Sequence, residues 1–167
     1  MHRLLRVRCF YLIVPMRVLL FFNPCTRLTF VSSIQTKMTR VIIVDNEATF
    51  RKGLKTILQN IGDVDVVAEA SNGEEFLKLI DEITADLVFM DVKMPVLDGV
   101  EATRKAILSH PGLHIIGFSS YENEDYINRM VEAGACGYLT KSGDNYDLLS
   151  QIINNPDAGI FPGAKKF

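Results

Sequence analysis

The sequence predicts an α/β fold, a five-stranded parallel sheet of order 2-1-3-4-5 with helices on both faces. Three observations predict it. Between residues 39 and 155, five short apolar runs alternate with five segments of helical spacing. Two of those runs, VIIV at residues 41–44 and LVFM at residues 87–90, contain no polar residue, the pattern of strands buried on both faces. Polar residues gather directly after several runs, at the strand ends where ligands collect in open α/β sheets. Right-handed crossovers set the hand, and this strand order opens a crevice between the first and third strands.

Each element has its own signal. The first strand, residues 41–44, ends in Asp45-Asn46-Glu47. Phe50, Leu54, Ile57, Leu58 and Ile61 then recur at helical spacing, and Gly62 stops that helix. Residues 64–68 form the second strand. Ser71 is placed to cap the second helix, with Glu74 at the capping-box position and Phe76, Leu77 and Ile80 along the apolar face. The third strand, residues 87–90, ends on Asp91. A loop with Pro95 inside it and Asp98-Gly99 closing it leads to the third helix, residues 100–108. After His110-Pro111-Gly112, residues 114–118 form the fourth strand, which runs into Ser119-Ser120. Tyr126, Ile127, Met130 and Val131 mark the fourth helix, ended by Gly134. Residues 136–139 are the fifth strand, followed by Thr140-Lys141. Leu148, Leu149, Ile152 and Ile153 mark the fifth helix, which Asn155-Pro156 terminates.

Composition bounds the rest. The chain has 167 residues, 48% hydrophobic and 23% charged, which is globular rather than disordered and enough for one domain with a core. Its net charge of -2 hides a split. Residues 1–38 carry six of the 18 Lys and Arg and none of the 20 acids. Residues 39–167 therefore hold 12 bases against 20 acids, a net of -8. So acidic a domain is a poor partner for nucleic acid, and specific DNA binding by this chain is not expected.

The basic, apolar residues 1–38 look foreign to the rest of the chain. Pro15 and Arg17 interrupt the apolar run, no small-x-small cleavage site succeeds it, and it is short for a membrane span. The preferred reading is an upstream extension outside the fold, with Met38 as the true start. A membrane-associated or targeting tail is the second. Residues 39–155 are the folded domain, and residues 156–167 a short tail or truncated linker. Cys9, Cys25 and Cys136 form no paired framework, so nothing argues for an oxidising compartment. Cys136, in the fifth strand, reads as a small buried hydrophobe. His2, His110 and His114 show no metal-ligand spacing with cysteine.

On the expected topology, four neighbouring strands deliver Asp45, Asp91, Ser119 and Lys141 to one edge of the sheet. Asp91 alone could be a turn cap, since Asp is a common turn residue. The set of four is harder to explain that way. Two acids near each other repel and invite a hard divalent cation. Mg²⁺ prefers oxygen ligands, keeps several waters and bridges carboxylates to phosphate. Lysine adds positive charge, and a serine hydroxyl can bond a phosphoryl oxygen. Together they suit phosphoryl transfer to a carboxylate, with Asp91 on the central strand as nucleophile.

The pieces VIIVDNE, LVFMDVKMPVLDG, GFSS and GYLTKS, in this order and spacing, resemble the receiver domain of bacterial two-component response regulators. The resemblance covers residues 39–155. It implies a flavodoxin-like receiver fold, and the strand order given above is the one known for that fold group. It implies that Asp91 is the phospho-acceptor and that Lys141 contacts the phosphoryl group. Asp45, Asn46, Asp91 and the backbone carbonyl of Lys93 would hold Mg²⁺. Ser119 stands at the switch hydroxyl, and Tyr138 at the aromatic that turns inward when that hydroxyl shifts. Lys93 and Tyr121, two residues past Asp91 and Ser119, occupy positions that tune the lifetime of the phosphoryl group. Asn46 departs from the family pattern, which usually has a second acid there.

The resemblance implies a cytoplasmic signalling switch that takes its phosphoryl group from a sensor histidine kinase or a small phosphodonor. Output would pass through the face made by the fourth helix, fifth strand and fifth helix, to an effector protein or a second copy of the chain. Membrane association of residues 1–38 is not expected. The segment pattern is most similar to receivers that carry a C-terminal helix-turn-helix, so the alternative is the input half of a transcription regulator. Such a domain catalyses only its own phosphorylation and slow dephosphorylation. A haloacid-dehalogenase-type phosphatase would need a second acid at the position of Lys93. A flavin or nucleotide binder would need a glycine-rich loop where Asp45-Asn46-Glu47 stands.

Overall fold

The computed structural model describes residues 38–120, 123–141 and 145–156. Five strands and five helices alternate: β1 (Thr39–Val44), α1 (Ala48–Ile61), β2 (Val64–Ala70), α2 (Gly73–Glu82), β3 (Leu87–Met90), α3 (Gly99–Ser109), β4 (His114–Ser119), α4 (Glu124–Glu132), β5 (Gly137–Thr140) and α5 (Tyr146–Asn154). All pairings are parallel, in the order β2-β1-β3-β4-β5. The order expected from the sequence is the order found.

The sheet divides the core by the period-two alternation of its strands. Ile42, Val44, Val88, Met90 and Ile115 face one side, where Phe76, Ile80, Val100, Ala102, Ala106 and Met130 of α2, α3 and α4 cover them. Val41, Ile43, Leu87, Phe89, Ile116 and Phe118 face the other, under Leu54 and Leu58 of α1 and Leu149, Ile152 and Ile153 of α5. β1 and β3 are apolar throughout residues 41–44 and 87–90 because both of their faces are covered. β2, at the edge, alternates VDVVAEA and leaves Asp65 in solvent.

Several boundaries differ from the sequence reading, each for a reason of pairing or capping. β1 begins at Thr39 and β2 extends to Ala70, because Thr39 and Arg40 pair with Val64 and Asp65 while Ile43 and Val44 pair with Glu69 and Ala70. Their polar side chains hid a ladder made by the backbone. The cap of α2 is Asn72, not Ser71: the Asn72 side chain accepts from the Glu75 N–H at 3.0 Å. Glu75, not Glu74, reaches back, accepting from the Ser71 N–H at 2.6 Å and its hydroxyl at 2.7 Å. Those two bonds hold the Glu75 carboxyl below its ordinary pKa. β5 begins at Gly137, one residue later than expected. Cys136 adjoins it, half-buried, with its N–H on the Ile115 carbonyl. Burial pushes its thiol pKa up.

Candidate functional site

The site sits at the C-terminal edge of the sheet, and the ladder itself positions it. One hydrogen bond past each strand end fixes the next residue. The Asp45 N–H donates to Ala70, the Asp91 N–H to Val44 and the Lys141 N–H to Ser119, at 3.0, 2.8 and 2.8 Å. The side chains of Asp45, Asp91 and Lys141 are therefore carried on sheet-like backbone rather than on free loops. Ser119 is the last residue of β4.

Lysine joins the two acids. Lys141 Nζ lies 2.5 Å from Asp45 Oδ2 and 3.2 Å from Asp91 Oδ2. Its charge also stands 4.4 Å from the centroid of the Phe50 ring, at cation–π distance. The acids are buried, Asp45 at 2% and Asp91 at 6% exposure, and Ser119 at 0%. The remaining oxygens are oriented locally: Asp45 Oδ1 accepts from the Glu47 N–H and Asp91 Oδ1 from the Val92 N–H, both at 2.8 Å. Burial raises the Asp91 pKa above the ordinary value. The Lys141 charge opposes that rise, and the neighbouring Asp45 adds to it. Ser119 Oγ is buried and makes no hydrogen bond of normal geometry. Its pull on the Asp91 carboxyl is the weakest of those acting there.

The loop after Asp91 closes tightly over the strand. The Gly99 N–H donates to the Val92 carbonyl at 2.9 Å, and the Gly73 N–H to the Leu97 carbonyl at 3.1 Å. Asp98 caps α3 by accepting from the Glu101 N–H at 2.8 Å. Within this loop Val96 has φ of +70° and is 74% exposed, a left-handed conformation uncommon for a β-branched residue.

Asp45, Asp91, Ser119 and Lys141 thus come together as the sequence reading expects. Asn46 is next in the chain after Asp45 and is exposed. Lys93 is exposed as well, with its Nζ 4.9 Å from the ring centroid of Tyr126 on α4. Tyr138 is buried at 5% exposure. Its ring lies over Gly117, so close that a Cβ there would meet Tyr138 Cδ2 at 2.7 Å. Tyr121 lies outside the described residues. Nothing in the sequence singles out Arg51, yet its Nη1 donates to the Asp45 carbonyl at 2.6 Å. No motif announces that contact. An apolar cavity of about 490 Å³ lies between α1 and α5, lined by Phe50, Leu54, Phe118 and Leu149 among others; of the four site residues only Lys141 reaches it.

The donor set suits a hard cation. Among the described residues no group of three His, Cys, Asp or Glu could hold a metal. A cation here would draw on two carboxylates, amide or carbonyl oxygens and water, a set that fits Mg²⁺ better than zinc. The buried, unbonded Ser119 hydroxyl adds a donor suited to an anionic oxygen, such as a phosphoryl group would present.

Two buried acids, a serine hydroxyl and a lysine at the C-terminal edge of a parallel 2-1-3-4-5 sheet mark a class of protein. Residues 41–153 match the response regulator receiver domain, and the chain belongs to that family, whose members are phosphoryl-accepting signalling domains. It is 39% identical over 115 residues to the response regulator GacA of Pseudomonas viridiflava, covering 69% of this chain and 54% of that protein. Among solved structures it is similar to a LuxR-family two-component response regulator from Aurantimonas sp. SI85-9A1, with TM-score 0.67, 32% identity, and coverage of 72% and 85%. It is also similar to a CheY-like receiver domain protein from Methanospirillum hungatei JF-1, with TM-score 0.64, 29% identity, and coverage of 72% and 95%. The chain spans about half the length of the curated relatives it matches.

Proposed function

We propose that this chain is a phosphorylation-controlled switch in which Asp91 accepts a phosphoryl group from a sensor histidine kinase or a small phosphodonor. The observation that carries the reading is the bridge from Lys141 to both Asp45 and Asp91, beside the unbonded Ser119 hydroxyl. Asp91 acts as its carboxylate, with Oδ1 held by the Val92 N–H. An Asp91 oxygen forms a new bond to phosphorus as the donor P–O or P–N bond breaks, and the electron pair leaves with the donor. Asp45, Asn46, Asp91 and the Lys93 carbonyl would hold Mg²⁺, which when bound would supply neutralising charge to the transferring group. Lys141 balances the charge left on the phosphoryl oxygens, and Ser119 donates to one of them. Water later hydrolyses the acyl phosphate slowly. The chain has no other enzymatic role in this reading.

The output lies on the face of α4, β5 and α5. Tyr138 of β5 packs over Gly117, two residues before Ser119, and shares a core with Met130 of α4. A Ser119 that moves to bond the phosphoryl group disturbs the packing under Tyr138, and close-packed interiors answer such shifts by changing state rather than deforming smoothly. Lys93 and Tyr121 tune how long the phosphoryl group persists. The reader of this face is an effector protein or a second copy, in the cytoplasm. Among the described residues no helix is long and apolar enough to cross a membrane. A second reading, favoured by the half-length match to the transcriptional regulatory protein DegU of Brevibacillus brevis, makes this domain the input half of a DNA-binding transcription regulator.

Incubation with acetyl phosphate and Mg²⁺, followed by intact mass measurement, tests the proposal. One added phosphoryl group is expected, and none in Asp91→Asn. Full labelling of the Asn variant would overturn the assignment.

A further inference from the structure

Arg51 has no part in the chemistry above, yet it is bonded to the backbone of the acidic loop. It lies in the first turns of α1, and its N–H donates to the Glu47 carbonyl at 3.1 Å. Its Nη1 donates to the Asp45 carbonyl at 2.6 Å, and its Nε to Glu69 Oε2 on β2 at 3.2 Å. Lys55, one turn further along α1, holds the other Glu69 oxygen at 3.3 Å. Glu69 pairs in register with Ile43, two residues before Asp45. One guanidinium therefore ties the end of β1, the start of α1 and strand β2 together.

We propose that Arg51, held in place by Glu69, is the positioning residue of the Asp45–Asn46–Glu47 turn, and through it of the oxygen donors for the divalent cation. The inference rests on the phospho-acceptor reading of the site. The Asp45 carbonyl lies beyond the last strand residue, on a residue that is almost fully buried, where a carbonyl needs a donor. Arg51 supplies a charged one. Its planar fork lets two N–H groups on different nitrogens serve two acceptors at once, which an ammonium on a flexible stem does less well. Asn46 makes the point sharper. With an amide in place of a second carboxylate, less charge attracts the cation, so its affinity depends more on oxygens already in place. Glu69 has a second effect: it neutralises Arg51, so that the clamp does not repel a cation nearby.

The experiment uses the full chain and the variants Arg51→Ala, Arg51→Lys and Glu69→Gln. Binding of MgCl₂ is followed by calorimetry, and amide hydrogen exchange at Asn46 and Glu47 is measured without metal. Arg51→Ala should weaken Mg²⁺ binding about tenfold, the scale of one charge-assisted hydrogen bond. It should also speed exchange at Asn46 and Glu47 while the Leu58 and Phe89 amides keep their wild-type protection. Arg51→Lys should recover only part of each loss, and Glu69→Gln should show a smaller loss of both. Wild-type affinity and wild-type loop exchange in Arg51→Ala would overturn the proposal. Full recovery by lysine would overturn it too, since charge alone would then suffice. If Arg51→Ala loses core protection, Glu69→Gln decides, because it keeps the guanidinium and removes only the charge that anchors it; unchanged binding and exchange there count against the clamp. Failure of the wild-type chain to bind Mg²⁺ would refute the reading of the site, and the metal-free exchange would still decide whether Arg51 orders the turn.

Discussion

Gly99 lies so close to Asp91 that a Cβ added to it would stand 1.9 Å from the Asp91 carbonyl oxygen. The turn that leaves Asp91 folds back against its own strand, and only a residue without a side chain fits. The first consequence is a substitution. Gly99→Ala must push α3 or the Asp91 backbone aside, and overpacking of this kind costs about 1–3 kcal/mol. The expected result is a lower urea midpoint together with slower acetyl phosphate labelling, because the displaced atom belongs to Asp91, the acceptor proposed above. A variant with wild-type midpoint and labelling would show that the turn opens freely.

Asp91 should also limit stability at neutral pH. Its pKa is raised in the folded state, chiefly by burial, and the Lys141 charge does not cancel that. A raised carboxyl pKa means that the folded state holds its proton more tightly than the unfolded chain does. Stability therefore falls as pH rises from the unfolded pKa through the folded one, and the penalty is fully present above both. Asp91→Asn removes the charge, so it should be more stable than wild type at pH 7, by about 1 kcal/mol, an ordinary single-substitution effect. The gain should vanish in acid, below both pKa values, where Asp91 is protonated in either state. Urea unfolding of both proteins across that range checks the sign. A gain that grew as pH fell would contradict it.

Val96 is a source of strain that a substitution can relieve. A β-branched residue at φ of +70° costs about 1–2 kcal/mol, which glycine does not incur. Glycine loses part of that advantage, about 0.4–1 kcal/mol, through a freer unfolded chain. Because Val96 is exposed, its methyl groups add little burial. Val96→Gly should therefore raise stability by about 0.5–1 kcal/mol, measured as a higher urea midpoint with unchanged slope.

Asn46→Asp should tighten Mg²⁺ and speed phosphorylation. One pair of unit charges ~4 Å apart at an effective dielectric of about 20 interacts by ~4 kcal/mol. Desolvation of the new carboxylate and its repulsion by Asp45 and Asp91 offset most of this. A net gain of about 1–2 kcal/mol remains, roughly tenfold in affinity. Titration of both proteins with MgCl₂, alongside labelling rates, measures it. If the aspartate variant binds metal no better, Asn46 is not at the cation.

Much of this was legible in the order of residues alone. The apolar runs of β1 and β3, the helical spacing of α1 through α5 and the polar residue after each central strand are local patterns. Each reflects one segment burying one or two faces, and together they give the alternation of strand and helix; the strand order came with the fold group that the motifs resemble, and that order brings Asp45, Asp91, Ser119 and Lys141 to one edge. What only the tertiary structure decided depends on partners distant in sequence. β2 runs on through Glu69 and Ala70 because Ile43 and Val44 offer backbone partners there, whatever the side chains suggest. The cap of α2 moved to Asn72 because Ser71 was taken by the carboxylate of Glu75. Arg51 reads as an ordinary surface arginine on a helix, and only the approach of β2 supplies the Glu69 that aims it at the Asp45 carbonyl. Periodicity records which faces a segment buries; the direction of a long polar side chain is set by what folding brings beside it.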